Sequence, residues 1–163
     1  MLMKILMVCL GNICRSPLAE GILKQKAADA GLRWHIESAG TIGFHTGIAP
    51  HHFSKKVALL NGINIDNKRS REFITADFNR FDRIYAMSAD VIDEIKKIAG
   101  KNFIEKKVSL MMDELFPGQN IEVPDPWYGT EPDFHNVYKL IDSACKKIIE
   151  KYAAGINQHG AFQ

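Results

Sequence analysis

Residues Met3 to Val8, apolar apart from Lys4, form a short run that passes directly into Cys9-Leu10-Gly11-Asn12-Ile13-Cys14-Arg15-Ser16-Pro17. A brief apolar run without alternation suits a strand buried on both faces of a parallel sheet. Pro17 fits the first position of a helix, where it loses no hydrogen bond the helix would have made, and Ser16 is placed to act as its N-cap. Leu18, Ile22, Leu23, Ala27 and Ala30 then mark one helical face, and Gly31 is positioned to end it. A buried strand, a glycine-containing loop and a helix follow one another without a linker.

The same alternation continues. Strands are expected at about Trp34–Ser38, Arg83–Met87 and Lys107–Met111, and helices at about Pro50–Asn61 and Ala89–Ile98. In the last helix, Phe134, Val137, Tyr138, Ile141, Cys145, Ile148, Ile149 and Tyr152 recur at helical spacing. Thr130 with Asp133 resembles a capping box. Alternating strands and helices predict an α/β fold with a parallel sheet whose ligands bind at the carboxyl ends of the strands. A chain of 163 residues suits a single domain over 1–163, with a flexible glycine-containing tail over about 154–163. Phe116–Gly129 has two prolines after the first, a tryptophan and no period, and loops of that length inside a domain are often functional.

Composition narrows the function classes. With 46% hydrophobic and 25% charged residues and a net charge of +2, the chain is an ordinary globular protein without the basic excess of a nucleic-acid binder. No stretch approaches the roughly 18 apolar residues of a membrane span. The apolar run near the N-terminus is too short for a signal peptide, and Asn12 and Arg15 stand where a cleavage site would be. A cytoplasmic location with no membrane insertion is expected. Three cysteines, an odd number, make no disulfide framework, so reduced thiols are expected. The six histidines show no metal spacing, and no metal or cofactor is called for. His51 and His52 read as surface residues, and Cys145 as core.

The loop between the first strand and helix is where chemistry concentrates. Backbone N–H groups there can converge on an anion, and the helix dipole adds to the attraction. Cys9 at the loop's start lies in the same field, which favours thiolate over thiol, and Ser16 is able to donate to that sulfur. Arg15 offers a planar fork of donors for two phosphate oxygens. Phosphoryl transfer from an aryl oxygen also needs an acid, because phenol, with a pKa near 10, leaves poorly as the anion. Asp125, in the unpatterned loop, is the candidate. A lone Asp-Pro is more often a turn, and it is the loop at Cys9 that gives Asp125 its weight.

The Cys9–Pro17 segment resembles the phosphate-binding loop of the low-molecular-weight protein tyrosine phosphatases: cysteine, five residues, arginine, then serine or threonine, close to the N-terminus. Asp125-Pro126-Trp127-Tyr128-Gly129 resembles that family's general-acid loop, again just before a long C-terminal helix. The resemblance covers nearly the whole chain. It implies a four-stranded parallel sheet flanked by helices, with Cys9 as nucleophile, Arg15 as phosphate clamp and Asp125 as acid. It implies further that Asn12 and Ser16 brace the loop with Ser38, that Leu10, Gly11, Ile13 and Cys14 contribute to binding, and that Phe44, Trp127 and Tyr128 line the mouth. The implied substrate is a tyrosine-phosphorylated protein or peptide, with inorganic phosphate as product and inhibitor. Ile13 points the same way, since the related arginine phosphatases resemble one another in having threonine at that position.

The sequence departs from the family over Asp66–Arg71, where many relatives carry a histidine that supports the loop. Here lysine or asparagine stands nearby, and Lys68, Arg69 and Arg71 read as a solvated basic cluster, with recognition of acidic phosphopeptides as the less common reading. Three other functions compete. An arsenate reductase on this fold needs a reactive cysteine pair in mid-sequence, and none lies between Cys14 and Cys145. A phosphocysteine carrier needs neither an aryl-protonating acid nor an aromatic mouth. A non-catalytic phosphopeptide module has no need of Cys9. Cys14 either packs or pairs with Cys9 under peroxide, and the sequence leaves both open.

Overall fold

The computed structural model describes residues 2–159, with side chains described for 2–154. In chain order it contains β1 (Lys4–Cys9), α1 (Arg15–Asp29), β2 (His35–Gly40), α2 (His52–Leu60), α3 (Asp77–Arg80), β3 (Arg83–Ala86), α4 (Ala89–Ala99), β4 (Val108–Leu110) and α5 (Glu131–His159). The strands form one sheet in the order β2-β1-β3-β4, and every pairing is parallel.

β1 shows why its sequence lacks alternation. Side chains of successive residues point to opposite faces of a strand. Ile5 and Met7 enter one core with Leu18 and Ile22 of α1 and Phe134 and Ile141 of α5. Leu6 and Val8 enter the other, with Phe78, Ile84, Val91 and Ile95. Both faces are covered, so both sets must be apolar, and each such side chain contributes about 1.5–3 kcal/mol on burial. Cys145 lies in the first core and is fully buried, which raises its thiol pKa.

The chain leaves β1 toward β2 on one side and later returns with β3 on the other. Such a reversal opens a crevice at the carboxyl end of β1, where open α/β sheets bind ligands. Cys9 is the last residue of β1 and faces that crevice end.

Several boundaries differ from expectation for identifiable reasons. Helix α1 starts at Arg15 with Cys14 at its cap position and no side-chain cap. Ser16 is not the cap, because its hydroxyl is engaged with Cys9 and Asn12. The four-residue α3 and the short 3₁₀ turns at Gly100–Asn102, Glu105–Lys107 and Met111–Glu114 are too brief to show a period. The reading at Thr130 holds: its N–H donates to Asp133 Oδ2 at 2.7 Å as α5 begins. α5 continues to His159, into the segment expected as a tail, and 160–163 lie outside the described residues.

Candidate active site

The loop from Cys9 to Arg15 is held from below by side chains. Asn12 has φ 56°, a left-handed conformation that asparagine adopts more readily than most residues. Its Nδ2 donates to Ser16 Oγ at 2.8 Å and to Ser38 Oγ at 2.9 Å, while its Oδ1 accepts the Arg71 N–H at 3.1 Å. Ser16 Oγ lies 2.9 Å from Cys9 Sγ, and the Asn12 N–H donates to the same sulfur at 3.3 Å. Ser16 accepts from Asn12, and its own hydrogen is within reach of the sulfur and, at 3.5 Å, of the Ala39 carbonyl. Sequence reasoning named Asn12, Ser16 and Ser38 as braces, and the structure brings all three together.

The neighbours of the loop fix its path. Thr41 and Ile42 donate N–H to the carbonyls of Cys9 and Leu10, and His51 donates to that of Ile13. Ser54 Oγ donates to the Cys14 carbonyl at 3.1 Å. A Cβ on Gly40 would meet Leu10 O at 2.8 Å and Gly11 C at 2.9 Å, so only glycine lets the end of β2 lie this close. Among the described residues, the N–H groups of Gly11, Ile13 and Cys14 find no backbone or side-chain acceptor. Open donors at a helix N-terminus form an anion cradle.

Arg15 is buried at the base of the cradle. Its Nη1 donates to the Val123 carbonyl at 3.1 Å, and its Nη2 lies 3.6 Å from Asp125 Oδ2. Val123 is itself anchored, donating its N–H to the Met87 carbonyl just past β3 at 2.9 Å. Asp125 is more open, with its side chain 43% exposed, and its Oδ1 accepts the Trp127 N–H at 3.1 Å.

These groups share one cleft of about 290 Å³. Cys9, Arg15 and Asp125 line it, as do Leu10, Gly11, Ile13, Cys14, Phe44, Trp127 and Tyr128. Asn12 and Ser16 lie beneath it rather than on its surface. Ile42 and His45 also line it and were missed; they fall in the aperiodic segment after β2, and the only available signal was its position at a carboxyl strand end. The His45 ring packs beside Trp127 with centroids 5.4 Å apart.

Burial, reinforced by Cys9 and Asp125, pushes the Cys14 thiol up to about 12, so it is protonated at neutral pH. His51 is half-buried rather than a surface residue. Its ring stacks on Phe134 at 4.7 Å, and its Nδ1 accepts the Phe53 N–H at the start of α2. Burial and then the neighbouring His52 hold its pKa below the ordinary value.

The basic cluster is also corrected. Arg71 pairs through both guanidinium nitrogens with the fully buried Asp77. Lys68 turns inward to Glu20 and the Ser38 carbonyl. Arg69 alone of the three is exposed. Lys68 thus joins the side chains that lie beneath the loop. Among the described residues, no three His, Cys, Asp or Glu side chains gather as a metal site, and no helix is long and apolar enough to cross a membrane.

An anion cradle at the end of β1, with a cysteine, an arginine and an aspartate around it, points to the class of phosphoryl-handling hydrolases. Residues 4–158 match the family described as low molecular weight phosphotyrosine protein phosphatase. The chain is 36% identical over 151 residues to the low molecular weight protein-tyrosine-phosphatase YfkJ of Bacillus subtilis, covering 91% of this chain and 94% of that one. It is 34% identical to low molecular weight phosphotyrosine protein phosphatase 2 of Drosophila melanogaster, covering 90% of each. A crystal structure of a protein tyrosine phosphatase from Entamoeba histolytica superposes with a TM-score of 0.85 at 36% identity, covering 94% of this chain and 98% of the other. The chain belongs to the low molecular weight phosphotyrosine protein phosphatase family.

Proposed function

We propose that this protein hydrolyses phosphotyrosine monoesters in peptides or proteins through a cysteinyl-phosphate intermediate, with 1–163 acting as one catalytic domain. Cys9 Sγ attacks phosphorus while the loop N–H groups and the Arg15 fork hold the non-bridging oxygens. The aryl oxygen departs with a proton from Asp125. The resulting carboxylate then takes a proton from water, and the hydroxide so formed displaces Cys9 and releases inorganic phosphate. The product fits the same cradle and is a competitive inhibitor.

The observation that carries this reading is the meeting of Cys9, Arg15 and Asp125 in one cleft, with Asp125 Oδ2 3.6 Å from Arg15 Nη2. That contact sets Asp125 beside the clamp, which supports its role as the acid for the leaving oxygen. Phe44, Trp127 and Tyr128 favour a flat aryl group, which fills the cleft mouth better than phosphoserine does. Ile13 favours tyrosine over arginine as the phosphate carrier. Reduced cysteines fit a cytoplasmic setting.

A substrate panel tests the proposal. Phosphotyrosine peptides should be hydrolysed, with phosphoserine peptides, phosphoarginine and arsenate with thioredoxin left largely unreacted. Preference for phosphoarginine, or arsenate reduction without aryl phosphatase activity, would overturn it.

A further inference from the structure

The rim of the cleft carries more apolar surface than one aryl ring uses. Phe44 and Tyr128 stand largely in solvent, and Leu10, Ile42 and Trp127 keep 41%, 39% and 40% of their surfaces exposed. All of them line the same cleft. A soluble protein rarely leaves so many large apolar side chains together at one opening unless something covers them. A single ring presents too little surface to cover them all.

The charges around this rim are acidic. Of the lysine, arginine, aspartate and glutamate side chains, only Arg15 and Asp125 line the cleft, and Arg15 is buried. The Glu72 carboxylate fills the space that a side chain on Gly43 would take, between Ile42 and Phe44. The Asp133 carboxylate likewise lies against Gly129, next to Tyr128. The basic cluster offers nothing in return. Lys68 and Arg71 are turned to Glu20 and Asp77, and the Arg69 guanidinium donates to the Asp66 and Lys68 carbonyls. Among the described lining residues, an acidic peptide side chain therefore meets no lysine or arginine beyond the one that serves the phosphate.

We infer that the rim selects phosphotyrosine flanked by apolar residues and disfavours acidic flanks. The inference deepens the proposed function and rests on it. In an extended peptide successive side chains point to opposite faces, so the residues two places before and two after phosphotyrosine face the protein with it, each about 7 Å along the chain. Leucine or valine at those places removes apolar surface from water on both partners. Glutamate there loses hydration beside Asp125, Glu72 and Asp133 and gains no counter-charge.

The test uses the full-length protein and three phosphotyrosine peptides identical except at those two places, which carry leucine, serine or glutamate. At about pH 8, where free imidazole is neutral, kcat/KM should fall in that order. Leucine should exceed glutamate by about tenfold, with the difference lying in KM. Added salt should narrow the gap between serine and glutamate, which is electrostatic, and leave the advantage of leucine over serine intact. Phe44→Ser, at a side chain too exposed to matter for folding, should cut the leucine-to-serine ratio to about twofold or less. Glu72→Gln should raise the glutamate peptide relative to the serine one. The Cys9→Ser protein should bind the three peptides in the same order, which reads the preference without turnover. A leucine-to-glutamate ratio near one, or a leucine-to-serine ratio that Phe44→Ser leaves unchanged, would overturn the inference while the proposed function stands. Hydrolysis of none of the peptides, with the binding order kept in Cys9→Ser, would support the preference and sink the proposed function. A dimer at assay concentration in sedimentation, dispersed by Phe44→Ser, would assign the rim to a second copy of the chain and overturn the inference.

Discussion

The floor and the wall of the cleft are built differently. On the floor, Cys9, Asn12, Arg15 and Ser16 are all buried, and the polar side chains among them have named partners. The wall at Asp125–Tyr128 belongs to a segment without helix or strand. It is tied through Val123, the Arg15–Asp125 contact and one turn within Asp125–Trp127. Tyr128 is 96% exposed and Phe44, which also lines the cleft, 84%. The groups that hold phosphate need fixed geometry before substrate arrives, since electrostatic stabilisation costs no reorganisation only when the donors are already in place. In the proposed mechanism Asp125 would serve leaving groups carried by varied peptides, and a loosely tied loop on a rigid scaffold suits that role.

If that division holds, damage to the floor should be the most severe. Cys9→Ser should lower turnover by about 10⁴-fold or more, as loss of a nucleophile does elsewhere, while vanadate or phosphate still binds through the loop amides and Arg15. A rapid phosphoenzyme burst in that variant would break the assignment. Arg15→Lys should cost about 10²- to 10³-fold, because an ammonium cannot reproduce the fork, and steady-state kinetics on an aryl phosphate reads it directly.

Damage to the wall should depend on the substrate. Asp125→Asn should slow phosphotyrosine hydrolysis by about 10²- to 10⁴-fold, with a smaller loss for aryl phosphates whose leaving groups need no proton. With those activated substrates a phosphoenzyme should accumulate, since the base for water attack is also gone. Equal losses on both substrates would make Asp125 structural. Asp133 is then a poor replacement, because it caps α5 by accepting the Thr130 N–H. At the rim, Tyr128→Ala should raise KM for a phosphotyrosine peptide about two- to tenfold with kcat unchanged, the scale of one lost aromatic contact. A fall in kcat of that size would mean that Tyr128 positions the acid loop.

The contrast between floor and wall also marks what was legible in the sequence. β1, the loop and α1 were readable because burial on both faces removes alternation and because Pro17 and Gly31 punctuate a helix. Asp125 became a candidate only in the company of Cys9 and Arg15, and the structure sets all three around one cleft. Ser16 looked like a cap by its local position, but a tertiary network claimed its hydroxyl. Ile42 and His45 reach the cleft from an aperiodic segment, where neither spacing nor residue type separates lining from loop. Lys68 was misread because its partners, Glu20 and Ser38, lie on α1 and β2, and charge clusters read along the chain carry no information about such distant pairing.

The smallest expected effect lies at His51, which joins the two regions: its N–H holds the Ile13 carbonyl, and its ring meets Trp127 edge-on with centroids 5.7 Å apart. Burial, then His52, holds its pKa below the ordinary value, so the folded state favours the neutral ring. In the window between that depressed value and the ordinary one near 6.5, the unfolded chain binds more protons than the folded one. The contribution to stability is therefore complete above about 6.5 and is lost as pH falls through the depressed value. Protonation also removes the lone pair at Nδ1 that accepts the Phe53 N–H and caps α2. His51→Asn keeps a capping acceptor that does not titrate. Between neutral and mildly acidic pH, the parent should lose about 2 °C more in melting temperature than His51→Asn, a small shift for a domain of this size. Equal losses would mean that the acid sensitivity of this junction arises elsewhere.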